Sequence, residues 1–588
     1  MSTVARGCVA RTLTAAGLVP RISGAEAERN VGAHDPRKNT LVAVPPPVSS
    51  PLPQAATPAA ALPAGPRTDR LIALVLFAAV LIQGIFAIHR IGISWDEPFY
   101  YRTAREYAAW AGDLGRAGAF SAERLEQTFG LRSLKNDHPT LAKIVGALTL
   151  TAFRGPLGEF WSYRFAAPLL LGVLVAALYL HVARAGGRAA AFAAVLLLVT
   201  MPRFFTDSHI AATDGALSVF WFLTAVAFER ACGHRGPWWL PGVAFGLCMS
   251  VKFTGFLAPV PLLAWGLAYR RRDLLRPACS LLLGPLVFLL LQPAMWHHPL
   301  AGIADFVRLS VTRESWNPHW VLFLGRVYDF SGPWYYAPFL VLATVPEITL
   351  LLFLAGAARA LRNRLHDAWI GSSLIHFGFF MLVTMAPAAP LFDGVRLFLP
   401  AFVFLAVLAG YGFDGLAGEL GARAAGWRNR HPQRFRALRA LPVALLVILA
   451  PLPLARIYPY GLEYYNGLVG GVGGAHAAGL ETTYWWTVLT EEHLARINQL
   501  LPRDARLRFV PMDPDLHELY RELGLLRADI RVVEGGEFDY ALVLSRPSWK
   551  FPRLFAMLGA SPERLRVAGS LTRDGVPFWV LYRREQGQ

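Results

Sequence analysis

The sequence predicts a mainly α-helical, polytopic membrane protein of about eleven transmembrane helices, with a small α/β domain towards its C-terminal end. Three observations predict this. Of its 588 residues, 54% are hydrophobic and 16% are charged, whereas a soluble enzyme carries about 25% charged residues. Many apolar runs reach the roughly 20 residues needed to cross a bilayer core. The connectors between those runs alternate between short basic ones and longer ones of mixed charge and high aromatic content.

Residues 1–69 are rich in Pro, Ala and Ser. Such a stretch buries too little apolar surface to offset its ordering entropy, so it reads as a disordered cytoplasmic tail. A start codon placed too early is the alternative. No compact basic, apolar and small-residue sequence precedes the first span, so no cleavable signal is expected. The first span covers 71–88, and a polar stretch over 90–143 follows it. Further spans are expected near 160–182, 190–205, 213–230, 237–251, 254–269, 277–293, 335–357, 368–386, 397–416 and 440–457. The apolar piece 141–153 is too short to cross and reads as an interfacial or re-entrant helix.

With the tail inside, five connectors face the cytoplasm. They carry Arg184 and Arg188; Arg230 and Arg235; Arg270, Arg271 and Arg272; Arg359, Arg362 and Arg364; and the Arg-rich run 421–439. All are basic, as the positive-inside rule requires. This placement accounts for the net charge of +17 and excludes nucleic acid as its cause. The expected setting is a bacterial-type inner membrane, with the N-terminus cytoplasmic and the C-terminal region periplasmic or extracellular. Residues 70–457 form the membrane module and 458–588 the extracytoplasmic α/β domain. In that domain, strand-like pieces near 507–512 and 539–545 alternate with helix-like pieces near 491–501 and 515–526. The four cysteines, Cys8, Cys232, Cys248 and Cys279, have neither metal-ligand spacing nor the look of a disulfide framework.

Chemistry concentrates at the outer ends of the spans. Trp95-Asp96-Glu97-Pro98 puts two carboxylates just beyond the first span. Either can serve as a base towards an acceptor hydroxyl. The alternative is a solvated acidic pair ending a span, beside an aromatic belt. His138-Pro139-Thr140-Leu141-Ala142-Lys143 offers His138 to position a substrate and Lys143 to reach a phosphate; otherwise Lys143 snorkels to the interface. Arg203 is a fork-like donor suited to phosphate, and Asp207 and Asp214 can order the site. A silent Arg203–Asp207 ion pair is the competing reading. Lys252 is one of only five lysines, and three of them (Lys135, Lys143 and Lys252) fall on the outer side. Arg396 begins a span from outside, where it can hold a lipid phosphate or simply pair with Asp393. The loop with Trp296, His297, His298, Arg313, Glu314, Trp316, Asn317, His319 and Trp320 suits sugar or an interface, and its histidine spacing argues against zinc. Glu347 follows Pro346 inside an apolar run and is a functional candidate with no evident partner.

Taken in order, these segments resemble the GT-C-fold glycosyltransferases that use polyprenyl-phosphate sugars. The group nearest in pattern is that of the protein O-mannosyltransferases and aminoarabinose transferases. The resemblance covers about 70–457. It rests on Trp95 to Pro98, His138 to Lys143, Arg203 with Thr213-Asp214-Gly215, Lys252-Phe253-Thr254-Gly255, Pro333-Trp334-Tyr335-Tyr336 and Asp393-Gly394-Val395-Arg396. It implies inverting sugar transfer from a polyprenyl-phosphate donor to a protein, glycolipid or cell-envelope glycan. It implies Asp96 as the catalytic acidic residue, with Glu97 supporting it or contacting the acceptor. Lys143, Arg203, Lys252 and Arg396 take the places where cations hold lipid phosphate, His138 joins them in binding the donor, and Asp207, Asp214, Asp393 and Tyr335 are expected in support. The stretches Tyr464 to Gly471 and Glu481 to Trp486 are similar to a segment of bacterial relatives whose acceptor is unknown. The motifs specify no cofactor and leave a divalent cation open. A flippase of lipid-linked intermediates and an inactive assembly partner are the competing functions.

Overall fold

The computed structural model describes residues 65–130, 138–316, 319–329, 331–387, 389–511, 513–550, 558 and 562–585; the expected tail over 1–64, with Lys135 and Asn317, lies outside them. Five helices are long and apolar enough to cross a membrane: Arg67–Arg90, Glu159–Gly186, Thr213–Cys232, Pro400–Arg423 and Pro432–Ile457. The pair Tyr336–Thr344 and Glu347–Arg362 is together apolar enough to cross but is bent by 119°, as a broken span or a re-entrant loop would be. Five shorter apolar helices are Arg188–Thr200, Leu240–Met249, Phe253–Tyr269, Leu275–Leu290 and Ala368–Thr384. Each of the eleven expected segments falls on one of these, and the chain is a multi-pass membrane protein.

Burial separates the central from the peripheral helices. Pro400–Arg423 is apolar on every side and 72% of its apolar window is buried, against 22% for Arg67–Arg90 and 11% for Pro432–Ile457. Glycine explains the central packing. A Cβ on Gly356 would stand 1.9 Å from the Leu408 carbonyl, and one on Gly412 would stand 2.1 Å from that of Leu352. The backbones of these two helices therefore touch, which no larger residue allows. The peripheral helices expose Leu74, Ile82, Phe86, Leu445 and Ile448, as lipid contact requires.

The bend explains two sequence features. Breaking a span frees carbonyls that must be satisfied inside the protein. Asn466 does this: its Nδ2 donates to Leu342 O at 2.6 Å and Val345 O at 2.8 Å, and its N–H donates to Ala343 O at 2.9 Å. Glu347 Oε1 accepts the Gly467 N–H at 2.5 Å. Glu347 thus has its partner in the Tyr464–Gly471 stretch, far away in sequence.

The piece expected to be interfacial is the helix Leu141–Leu157, packed against Glu97–Gly112 and Glu159–Arg164. Towards the C-terminus a five-stranded sheet has the order β4-β3-β5-β7-β6, formed by β3 (Arg506–Val510), β4 (Arg531–Val532), β5 (Tyr540–Leu544), β6 (Leu565–Arg573) and β7 (Val576–Arg584). Strands β4, β3 and β5 are parallel, and β7 is antiparallel to β5. Strands β1 (Trp320–Phe323) and β2 (Arg326–Asp329) form a separate hairpin. Helices Glu491–Leu500 and Pro514–Glu522 lie where the sequence reading expects them.

Candidate functional site

The site begins where the first helix ends. Arg164 is fully enclosed, and its Nη1 donates to Ile88 O and Ile91 O, both at 2.7 Å. Its Nη2 donates to Gly92 O at 2.8 Å. These are carbonyls that a helix end leaves without partners. The same guanidinium grips Glu97, with Nε to Oε1 at 2.7 Å and Nη2 to Oε2 at 3.0 Å. Glu97 also accepts the N–H groups of Ser94 at 2.8 Å and Ala211 at 3.1 Å. The two adjacent carboxylates therefore diverge. Glu97 is sealed at 0% exposure and both its oxygens are engaged, whereas the Asp96 side chain is 29% exposed.

Asp96 faces Arg396, whose Nη1 lies 3.4 Å from its Oδ2. Arg396 is the hub of a buried charge cluster. Its Nη1 is 3.2 Å from Asp393 Oδ2, and its Nε is 3.7 Å from Asp214 Oδ2. Lys252 Nζ donates to the other oxygen of Asp214. Trp485 lies across the Arg396 guanidinium at 3.8 Å from ring centre to Cζ, a cation–π contact, and its Nε1 donates to Asp393 Oδ2 at 2.8 Å. Arg546, which follows β5, closes the cluster from the C-terminal side at 3.0 Å from Asp393 Oδ1. Burial opposes ionisation of Asp393, but Arg546 and Arg396 outweigh it and hold the carboxyl below its usual range.

Beside this cluster stands Arg203, packed against the rings of Tyr465 and Tyr484 at 4.6 and 5.0 Å, with Nε donating to Tyr464 O at 3.0 Å. No ion pair joins it to Asp207 among the described residues. Burial, and then the charge of Asp214, push the Asp207 carboxyl up to about 8. A small cavity is lined by Arg203, Asp207, Asp393, Arg396, Tyr484 and Trp485. Arg203 Nη2 and Arg396 Nε are buried and have no hydrogen-bond acceptor among the described residues.

Backbone strain collects at this point. Asp393, Trp485 and Trp486 have φ of 55°, 53° and 64°, a region that side chains with a Cβ rarely adopt. Between Asp393 and Arg396, Gly394 has φ 72°, and a Cβ there would stand 2.6 Å from Arg203 Nη1. The chain after the first helix is pinned to the same segment. Trp95 N–H donates to Trp485 O at 3.0 Å, and Gly92 N–H donates to Thr487 O at 3.2 Å. Above it Arg102 pairs with Asp515 and, at 2.6 Å, with Glu518 on the Pro514–Glu522 helix. Burial lifts Asp513, which caps that helix, to about 6, and Asp96 is among the charges that add to the rise.

The structure thus brings Asp96, Arg203, Asp207, Asp214, Lys252, Asp393 and Arg396 together. Tyr100, within electrostatic range of Arg396, packs against both His138 and Lys143. His138 and Lys143 are buried neighbours, with Lys143 Nζ donating to His138 O at 2.5 Å. Lys143 is buried, with its ammonium 5.8 Å from the centre of the Tyr100 ring. Tyr335 is 38% exposed and packs near Trp334 and Phe323; the buried residue is Tyr336, within electrostatic range of Arg203 and Asp393. From the outer loop, His319 stacks on Phe392 at 4.2 Å. Among the described residues no group of three His, Cys, Asp or Glu side chains is placed to hold a metal.

Arg164 and Arg546 escaped the sequence reading, and Tyr484 and Trp485 were noticed only within the Glu481 to Trp486 stretch, without a place in the site. Arg164 carried a signal, because a charge at the start of a membrane span needs a partner and Glu97 needed one too. Arg546 carried none, since it is one arginine among many.

The comparisons bear on this arrangement. Residues 137–297 match the family model of dolichyl-phosphate-mannose-protein mannosyltransferases. That stretch is of glycosyltransferase type, and it contains His138, Lys143, Arg203, Asp207, Asp214 and Lys252. No curated protein sequence matches the chain. Among solved structures, ArnT from Cupriavidus metallidurans bound to undecaprenyl phosphate is similar over 87% of this chain and 97% of its own, at 18% identity and TM-score 0.46. The apo form of that protein is similar over 87% and 98%, with the same identity and TM-score 0.46. An Archaeoglobus fulgidus oligosaccharyltransferase tethered with an acceptor peptide is similar over 88% of this chain and 74% of its own, at 13% identity and TM-score 0.46.

Proposed function

We propose that this chain is a GT-C-fold glycosyltransferase that moves a sugar from a polyprenyl-phosphate-linked donor to an acceptor hydroxyl at the outer membrane surface, with inversion and with Asp96 as base. One observation carries the reading. A single partly exposed carboxylate stands at the edge of an enclosed cluster of cations, next to a cavity lined by Arg203 and Arg396, each of which has one buried nitrogen with no hydrogen-bond acceptor among the described residues.

The chemistry follows from that layout. Asp96 takes the proton of the acceptor hydroxyl as its oxygen attacks the anomeric carbon. The bond from that carbon to the phosphate oxygen breaks on the opposite face, so the configuration inverts. The bonding pair leaves with the phosphate, whose growing charge is met by Arg396, Lys252 and Arg203. Asp207, protonated at neutral pH, donates a further hydrogen bond to a phosphate oxygen. Asp214 and Asp393 keep the cations charged and aligned. Glu97 acts as a positioning residue: with Arg164 it fixes the turn from which Asp96 projects.

The reading keeps 70–457 as the catalytic membrane module and 458–588 as an extracytoplasmic domain that covers it, in a bacterial-type inner membrane with a cytoplasmic N-terminus. Its acceptor is a protein, a glycolipid or a cell-envelope glycan. The flippase alternative rested on Glu347, and that carboxylate is engaged in closing the helix break. Glycan and glycolipid mass spectrometry of a deletion strain tests the proposal. It predicts loss of one defined sugar, restored by the wild-type chain and not by Asp96→Asn. An unchanged profile of glycans and glycolipids overturns it.

A further inference from the structure

The other end of the same helices holds a second polar feature that sugar transfer does not use. The C-terminal ends of Glu159–Gly186 and Thr213–Cys232 diverge there from Phe253–Tyr269 and Ala368–Thr384, leaving a cleft of about 830 Å³. Fifteen residues separate Asp214 from Glu229, so the cleft lies about 22 Å along the helix from the cation cluster. It is a separate place in the molecule.

The charges in the cleft are mismatched. Four arginines line it: Arg184, Arg230, Arg235 and Arg270. None has a carboxylate within ion-pairing distance among the described residues. The carboxylates beside them are engaged elsewhere. Glu229 faces His181 Nε2 at 3.7 Å, Asp273 takes His234 Nε2 at 3.0 Å, and Asp367 accepts from the Tyr411 hydroxyl at 3.0 Å. Arg230 makes only a neutral contact, to the Arg235 carbonyl at 3.0 Å. An adjoining depression adds Arg362 and Arg364. Guanidinium groups grouped in this way suit the paired oxygens of a phosphate.

Two features favour a phosphate attached to a lipid. The lining passes from the arginines to Ala177, Leu180 and Val226 on the facing sides of two membrane helices, a path for an acyl chain. Trp238 and Trp239, exposed at 53% and 46%, stand on the connector that follows Arg235, where indole rings mark the membrane–water boundary. The headgroup level and the arginines therefore coincide. Basic pockets between membrane helices are known to take lipid headgroups.

We propose that this cleft binds the phosphodiester headgroup of an anionic membrane lipid, independently of the site around Asp96. Arg184 and Arg270 approach it from opposite helices, and the acyl chain runs along Leu180 and Val226.

The test uses the purified full-length protein, delipidated in uncharged detergent and titrated with phosphatidylglycerol or phosphatidylcholine, with retained lipid read by native mass spectrometry. Phosphatidylglycerol is expected to be retained in preference. A basic side chain at a lipid headgroup contributes about 1 kcal/mol, so the double variant Arg184→Gln/Arg270→Gln should weaken retention about thirty-fold. Arg184→Lys/Arg270→Lys keeps the charges and should stay within a few-fold of wild type. Melting temperatures of both variants check that they are folded. Equal retention of the two lipids, or a Gln variant that binds as wild type does, overturns the proposal. Displacement of the lipid by millimolar inorganic phosphate also overturns it and assigns the cleft to a soluble anion. A folded Lys variant that loses lipid as fully as the Gln variant contradicts the role of charge.

Discussion

The Thr213–Cys232 helix has Asp214 at one end and Glu229 near the other, and the two ends treat charge in opposite ways. Around Asp214 the arginines and Lys252 are enclosed, and carboxylates or aromatic faces meet each cation. Around Glu229 the arginines line an open cleft, and among the described residues none has a carboxylate within ion-pairing distance. The difference is one of solvation. A guanidinium taken out of water needs a countercharge at close range, whereas one that stays wet does not. The closed end is therefore prepared to stabilise charge that appears during a reaction. The open end is suited to exchanging one anion for another.

The sharpest way to break this contrast is to remove one partner at the closed end. Arg164→Met leaves Glu97 buried without its guanidinium and strips three carbonyls of their donor. A loss of about 3–5 kcal/mol is expected, read as a fall in melting temperature and in membrane accumulation. The comparable change at the open end, Arg184→Gln, is expected to shift stability by less than about 0.5 kcal/mol. Similar losses from both would dissolve the distinction.

Next in size is Arg396→Gln. It removes the cation closest to Asp96 and should lower turnover about 10²- to 10³-fold, as loss of a charge-stabilising donor does. Trp485→Phe keeps an aromatic ring near Arg396 but loses the hydrogen bond to Asp393, so a decrease of roughly threefold to tenfold in turnover is expected.

A further effect concerns pH. The Asp207 carboxyl titrates near 8 in the folded chain, because burial and Asp214 both disfavour its charge. In the unfolded chain it titrates near 4. Between these values the folded state holds the additional proton, so stability falls as pH rises from about 4 through about 8. Asp207→Asn should flatten that slope in melting curves across this window. Glu463, lifted to about 8 mainly by burial, contributes a slope of its own and leaves some behind.

The helical body was legible because apolar length and basic connectors each report on the bilayer. All eleven expected segments have a helix, and the residues that form the charge cluster, from Asp96 to Arg396, were named from sequence. Two kinds of information were not legible. The separation of Asp96 from Glu97 depends on Arg164, 67 residues away, and nothing local says which of two adjacent carboxylates turns inward. The contribution of the C-terminal region was hidden because Trp485 and Arg546 act through long-range contacts with Asp393. Asn466 and Glu347 were both noticed in sequence, but their shared purpose at the bend appears only in three dimensions.

The division of labour between the two adjacent carboxylates can be measured most directly. Single-turnover transfer from a polyprenyl-phosphate sugar should be compared for Asp96→Asn and Glu97→Gln, each purified in folded form with its melting temperature recorded. The account predicts that Asp96→Asn keeps the wild-type melting temperature and loses transfer by about 10²- to 10⁴-fold, while Glu97→Gln loses melting temperature first. Normal transfer by a folded Asp96→Asn protein would contradict it.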